Sequence, residues 1–364
     1  MATACAAKPK LPGHFMIPSL TPSLFSRWAG FAARTLWPRL RRPCVVLLYH
    51  RVTDLSPDPW GLAVSPRNFS EQLSVLCRRF SPIGLSDLVD SISAQKIPRG
   101  HVAVTFDDGY RDNFEEAWPA LRAAQLPATF FITSCALDAA RELWWDELGQ
   151  LFLEPGELPA RMEISGRRSF SWQLKLPGYT AAEAAAHRHW RVFTQPPSDR
   201  QALYFALWEK LIDLPHLEQR GMLDQLFAWA GRTPTIRPSH RLLSSQELLS
   251  LAAEPLVEIG AHTLHHSALP TLPEDQQRAE ILGNKESLEK LLGRPLRHFS
   301  YPYGRHSPAV GEIARASGFV SACTTESGAV TAQADLLQIP RVYARNVGGA
   351  EFERELEQVL RDAG

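Results

Sequence analysis

The sequence predicts an α/β fold built on parallel strands and interrupted by a helix-rich insertion. Three observations carry this expectation. Apolar, β-branched runs of strand length alternate with stretches of helical spacing over residues 44–149 and again over 241–364. Four of those runs stop abruptly at polar clusters, as strands do where parallel βα units build a site at their C-terminal ends. Between the two zones, residues 150–240 lose the strand rhythm and carry helical patterns punctuated by proline and glycine.

Taken in order, residues 1–43 form an N-terminal leader. Within it, 24–42 (LFSRWAGFAARTLWPRLRR) is basic and amphipathic. It suits a docking helix, a loose leader or a peripheral contact with a lipid surface. Residues 44–49 read as a buried strand ending at His50. Residues 65–80 place Phe69, Leu73, Leu76 and Phe80 on one helical stripe, and Ser86 is placed to cap a second helix through Ile92. Residues 102–107 form the next strand, 112–125 a helix and 128–133 a further strand. In the insertion, 181–193 and 199–212 have helical pattern. Strands return at 256–261, 297–301, 319–324 and 337–342, with helices at 245–253, 274–292, 309–317 and 351–362. The expected strand count is therefore seven.

Bulk properties narrow the function. The chain has 364 residues, 45% hydrophobic and 21% charged, with 39 basic residues balancing 39 acidic ones. A balanced charge gives no footprint for nucleic acid. Five scattered cysteines with no Cys-x-x-Cys fit free thiols in a reducing compartment. With no apolar run of signal-peptide or membrane-spanning length, the expected location is the cytoplasm or the cytoplasmic face of a membrane. The oligomeric state is not legible.

The chemistry concentrates at four strand ends. Residues 102–110 read VAVTFDDGY, so a buried strand delivers Asp107 and Asp108 side by side. Adjacent carboxylates repel unless a cation or a shared proton relieves them. His262 and His266 follow the strand at 256–261 and stand four residues apart. Alone, that spacing also suits a solvated helix face. Joined to a carboxylate, two imidazoles make a catalytic set for Zn²⁺ or a similar divalent ion. Thr263 has the chemistry to hydrogen-bond backbone in the intervening turn. The third cluster is Phe299-Ser300-Tyr301-Pro302-Tyr303-Gly304, and the fourth is His50.

Thr105-Phe106-Asp107-Asp108-Gly109, His262-Thr263-x-x-His266 and Phe299-x-x-Pro302-Tyr303-Gly304 resemble the successive motifs of the polysaccharide deacetylases, the NodB-homology enzymes of carbohydrate esterase family 4. The resemblance covers roughly residues 44–345 apart from the insertion. It implies a distorted seven-stranded (β/α) barrel and a metal-dependent hydrolase that removes N-acetyl groups from amino sugars of a polysaccharide or its precursor. It implies Asp107 as general base, Asp108, His262 and His266 as ligands of a divalent metal, most plausibly Zn²⁺, and a backbone N–H near Tyr303 as oxyanion donor. Pro302 and Tyr301 belong to the same motif.

Two departures redirect the search. Many members have arginine where Ser300 stands, which leaves Arg341, in Ile339-Pro340-Arg341-Val342, as the candidate to orient the base. Members also carry a general-acid histidine near the C-terminus, and this chain has none after His306. His50 resembles the position used by the poly-N-acetylglucosamine deacetylase branch, with His265 a weaker rival. Trp145 and Asp146, in Trp144-Trp145-Asp146-Glu147, are candidates for sugar stacking and for a site-facing carboxylate, with helix packing the alternative. Tyr110 and Asp112 are expected near the same mouth, and His101, at the far end of its strand, in a structural place. The motifs leave open an amide hydrolase acting on another small or lipid-linked substrate, and a non-catalytic carbohydrate-binding relative.

Overall fold

The computed structural model describes residues 43–96, 99–166 and 169–362. The basic stretch 24–42 and Cys5 lie outside them. Seven parallel strands form the central sheet: β1 (Val45–Tyr49), β2 (His101–Phe106), β3 (Ala128–Ile132), β4 (Val257–Ala261), β5 (His298–Ser300), β6 (Ser321–Cys323) and β7 (Val342–Tyr343). Their order is β6-β5-β4-β3-β2-β1-β7, and an eighth, two-residue strand, Ser81–Pro82, pairs beside the start of β2. Parallel pairing needs a crossover between strands, and helices supply most of it. They are α1 (Pro66–Arg79), α2 (Leu85–Ser93), α3 (Trp118–Ala123), α4 (Trp144–Phe152), α5 (Ala181–His187), α6 (Asp199–Leu211), α7 (His216–Ala230), α8 (Ser245–Ala252), α9 (Glu274–Leu292), α10 (Pro308–Ala316) and α11 (Gly349–Asp362).

Successive strand residues face opposite sides of a sheet, and here both sides are buried. Leu47, Val104, Phe106, Phe130 and Ile132 share a core with the outer helices. Val46, Ala103, Phe131 and Cys323 face the other way and pack with Leu85, Leu88 and Ile92 of α2. Burial on both faces explains why the strands read as continuous apolar runs rather than alternating ones. Helix α2 plugs the barrel at the N-terminal ends of the strands, since Ser86 reaches Glu258 near the start of β4 and His298 at the start of β5. Ser86 therefore does not cap α2: Gly84 is its N-cap and makes no side-chain cap bond.

The seventh expected strand, 337–342, is realised in two pieces. Residues 336–339 pair with β6, where Ala322 N donates to Leu336 O and Ile339 N donates to Ala322 O. Pro340 lacks an N–H and interrupts the ladder. The chain then crosses to the opposite edge, and β7 pairs with β1 at Leu47 and Leu48. One short strip thus touches both edges of the sheet and curls it into a distorted barrel. The helix expected at 112–125 is also divided: Asn113–Ala117 forms a π turn before α3.

The insertion is less helical than expected. It opens with an antiparallel hairpin, Arg161–Ile164 against Phe170–Gln173, and a two-residue pair, Gly156–Glu157 with Gly178–Tyr179. Helix α5 ends at His187, short of the expected 193. Met162 and Ile164 of the hairpin, Leu203 and Leu207 of α6 and Leu223 and Phe227 of α7 build a second core against α4. Barrel and insertion form one compact unit. Cys44, Cys77, Cys135 and Cys323 form no disulfide. Among the described residues, no helix is long and apolar enough to cross a membrane.

Asn284 of α9 ties two strand ends together and has no local sequence signature. It is fully buried; its Oδ1 accepts from His262 N at 3.0 Å, and its Nδ2 donates to Ile132 O at 3.1 Å and Thr263 O at 2.7 Å. Asn284→Leu strips partners from buried backbone groups, each worth about 1–3 kcal/mol. Urea unfolding is expected to show a loss of roughly 2–4 kcal/mol, and a change within about 0.5 kcal/mol would contradict this bracing role.

Candidate active site

The site is assembled at the C-terminal ends of the strands. His50 follows β1, Asp107 and Asp108 follow β2, His262 and His266 follow β4, and Tyr303 follows β5. All six line one cavity of about 340 Å³. Non-glycine residues rarely adopt positive φ, yet Asp108 (φ 78), Thr263 (φ 62), His266 (φ 59) and Tyr303 (φ 59) all do. Such conformations persist where surrounding contacts over-determine them, characteristically at functional sites. Gly304 (φ 67) follows Tyr303 in a 3₁₀ turn, where a Cβ would lie 2.7 Å from Thr325 N. Only glycine fits there, so the turn is obliged to present the Tyr303 ring to the cavity.

The two adjacent acids have different neighbours. Asp108 is buried, and its Oδ1 lies 3.5 Å from His262 Nε2 and 3.2 Å from His266 Nε2. His262 Nδ1 lies 2.8 Å from Ser300 O, to which it donates, and this fixes the ring with Nε2 towards Asp108. Burial pushes the Asp108 carboxyl up, but hydrogen bonds from His262 and His266 outweigh it and hold the group well below the usual carboxylate range. Asp108, His262 and His266 are the cluster among the described residues with the spacing to hold a metal ion, their ligand atoms lying within 4.8 Å of one another. A carboxylate with two imidazoles, facing a cavity, suits a zinc-like divalent ion with open positions.

Asp107 is engaged from the opposite side. Arg341 donates to it bidentately, Nη1 to Oδ1 at 2.8 Å and Nη2 to Oδ2 at 2.7 Å. Ser300 Oγ adds a bond to Oδ2 at 3.0 Å, and Arg341 Nε is anchored on Thr324 O at 2.8 Å. Burial raises the Asp107 carboxyl and Arg341 more than offsets it, so the group stays ionised below its ordinary value. The arginine absent from position 300 is thus replaced in space by one from the strip that closes the barrel.

His50 lines the cavity, its Nδ1 buried without a protein partner. Burial lowers its pKa, and Asp108 and Asp107 oppose that only in part. Asn113 of the π turn donates from Nδ2 to His50 O at 2.8 Å and fixes the backbone there. His265 points away from this cavity: its Nδ1 lies 2.8 Å from Glu280 Oε1, and its ring stacks on His216 at 3.9 Å.

Several expected residues lie elsewhere. Trp145 reaches the cavity, with its ring centroid 4.7 Å from that of His266. Asp146 does not: it sits behind Trp145, accepts from Tyr110 OH at 2.7 Å, and burial pushes it up to about 7. Helix geometry explains the split, since consecutive residues of α4 project about 100° apart. Tyr301 is buried with its hydroxyl on Leu337 O, and Pro302 is buried within the turn; neither lines the cavity. Tyr110 is fully buried, and Asp112 pairs with Arg51 at 2.8 Å beneath the mouth. Thr263 Oγ1 has no partner; its carbonyl, held by Asn284, shapes the turn instead. His101 sits at the start of β2, its Nδ1 2.9 Å from Arg99 O. Sequence reasoning also missed a wall of Trp60, Phe193 and Trp208 on the outer cavity. They come from a loop and the insertion, and no periodicity links them.

Comparison with known proteins places this geometry. The profile of the family described as polysaccharide deacetylase matches residues 94–158 and 214–322. Poly-beta-1,6-N-acetyl-D-glucosamine N-deacetylase of Escherichia coli is 23% identical over 361 residues, which is 98% of this chain and 43% of that one. The chain spans half or less of the length of the curated relatives it matches. IcaB from Ammonifex degensii superposes with a TM-score of 0.53 at 18% identity, covering 88% of this chain and 97% of that one. A de-N-acetylase from Aggregatibacter actinomycetemcomitans superposes with a TM-score of 0.52 at 14% identity, covering 86% and 98%. Those superpositions establish the shared fold, and the profile match falls on the strands and turns that carry Asp107, Asp108, His262 and His266. Over the matched residues the chain is similar to the polysaccharide deacetylase family.

Proposed function

We propose that this chain is a divalent-metal-dependent amide hydrolase that removes N-acetyl groups from amino sugars of a polysaccharide or its precursor. The observation that carries the proposal is the division of labour between adjacent acids. Asp108 stands with His262 and His266 as a ligand set, while Asp107 is held apart from it by Arg341. A binding-only relative would have no use for a base and a ligand set kept intact together.

Asp108, His262 and His266 would hold the metal, a divalent ion of the Zn²⁺ kind, which when bound lowers the pKa of water from about 16 to about 7 and polarises a carbonyl. Asp107 is the general base. Its bidentate clamp fixes the carboxylate in one orientation, at the cost of lowering its basicity. Tyr303 and its left-handed turn line the side where the amide oxygen develops charge, and a backbone N–H there serves as oxyanion donor. His50, neutral at rest because burial lowers its pKa, takes up a proton at its unpartnered nitrogen and passes it to the departing amine. The aromatic edge of Trp145 supports the sugar beside His266.

Four substitutions test these roles. Acetate release from N-acetylated glucosamine oligomers is expected to fall at least about 1,000-fold in Asp107→Asn while zinc content by mass spectrometry stays near one per chain. His262→Ala is expected to lose the metal as well as the activity, and full metal content in that variant would refute the ligand set. His50→Gln is expected to lose roughly 100-fold or more on the amide but little on an activated aryl acetate, whose leaving group needs no proton. Equal losses on both substrates would remove His50 from the general-acid role. Arg341→Lys replaces a fork by a point charge, and kcat is expected to fall about 10–100-fold with KM little changed. A purely structural arginine would instead lower stability and leave the kcat of folded enzyme intact.

A further inference from the structure

The cavity is chemically divided. His50, Asp107, Asp108, His262 and His266 gather at the strand ends, Tyr303 and Trp145 stand against His266, and Trp60, Leu62, Phe193, Trp208 and Tyr343 complete an apolar wall. The polar tips of these rings are largely committed within the protein. Trp60 Nε1 donates to Tyr204 OH at 2.8 Å, Tyr343 OH donates to Gly61 O at 2.7 Å, and Tyr303 OH accepts from Trp144 Nε1 at 3.0 Å. Thr325 and the indole N–H of Trp208 are further polar groups of this lining. A second sugar against this wall would leave several hydroxyls short of partners, which is costly once water is excluded. An aliphatic chain meets no such penalty and gains by leaving water.

The aromatic surface is continuous. Phe193 lies 6.0 Å from Trp60, Trp60 packs tilted by 33° on Trp208 at 4.1 Å, Trp208 meets Tyr303 at 6.3 Å, and Tyr303 meets His266 at 4.5 Å. Phe193, at the outer end, is 84% exposed. Other large apolar side chains left exposed, Leu176, Leu217 and Ile236, also belong to the insertion, and Val320 is the one outside it among the described residues. Of these, Phe193 alone lines the cavity, and its exposed ring carries the apolar wall out to solvent.

We propose that the substrate is an N-acetylated amino sugar carrying an aliphatic chain, a glycolipid rather than a long free polymer. Trp60, Phe193 and Trp208 seat that chain. The inference rests on the deacetylase reading above and deepens it by assigning the insertion a specificity role. The sugar occupies the polar side, with its acetamide among Asp107, Asp108 and His50. The aliphatic chain runs outwards along the indole faces towards Phe193.

The test compares the full-length, zinc-loaded protein on three substrates: methyl N-acetyl-β-D-glucosaminide, its octyl counterpart, and tetra-N-acetylchitotetraose. The octyl glycoside is expected to exceed both others at least tenfold in kcat/KM. Trp208→Ala and the exposed Phe193→Ser are each expected to shrink the octyl-to-methyl ratio several-fold by raising the KM for the octyl glycoside. A wild-type ratio below two, a ratio unmoved in both variants, or chitotetraose as the best substrate would overturn the proposal. If none of the three releases acetate, the deacetylase reading fails on its own. Titration of tryptophan fluorescence with the octyl and methyl glycosides then decides the glycolipid inference separately. A tenfold lower Kd for the octyl glycoside supports it, and equal Kd values overturn it.

Discussion

Two buried carboxylates on consecutive residues cannot both stay ionised without separate partners, and the rest of the structure answers that demand. The left-handed backbone at Asp108 (φ 78) accompanies a split in which Asp107 meets Arg341 and Asp108 meets the imidazoles. The partners arrive from distant parts of the chain: Arg341 from the closing strip, His262 and His266 from the loop after β4. A single buried charge is costly, and an unmatched pair far more so. Strand order and loop bracing by Asn284 serve Asp108, closure of the barrel serves Asp107, and both acids are matched only when all are in place.

Much of this was legible in the sequence, and the reasons are physical. Buried parallel strands are continuous apolar runs with sharp polar ends, so six of the seven strands and the positions of His50, Asp107, Asp108 and His262 follow from pattern. The last strand was legible only as a run, because the break at Pro340 comes from two different pairing partners. The four-residue strands of the insertion hairpin show Met162 and Ile164 inward, too short an alternation to stand out from helical pattern. Asp146 follows the cavity residue Trp145 and Tyr301 shares a motif with Tyr303, and local geometry turns both Asp146 and Tyr301 away from the cavity. Asn113 and Asn284 act through backbone groups that no side-chain motif reveals.

The insertion changes the character of the cavity without touching its reacting groups. The barrel supplies the acids and imidazoles, whereas Phe193 and Trp208 come from the segment between α4 and α8. Helix α4 belongs to both parts, with Trp144 in the second core and Trp145 against His266. Chemistry and selectivity can therefore vary separately, because they sit on different cores that meet at one helix.

The strip at 336–343 has a consequence for the order in which the molecule comes alive. It joins the two edges of the sheet and carries Arg341 between its two points of attachment. A chain still growing on the ribosome has Asp107 and Asp108 long before that arginine is made. Until the strip docks, the sheet keeps an open edge and Asp107 keeps an unbalanced charge. Closure settles both at once, so the orientation of the Asp107 carboxylate is fixed only when the two edges of the sheet have met.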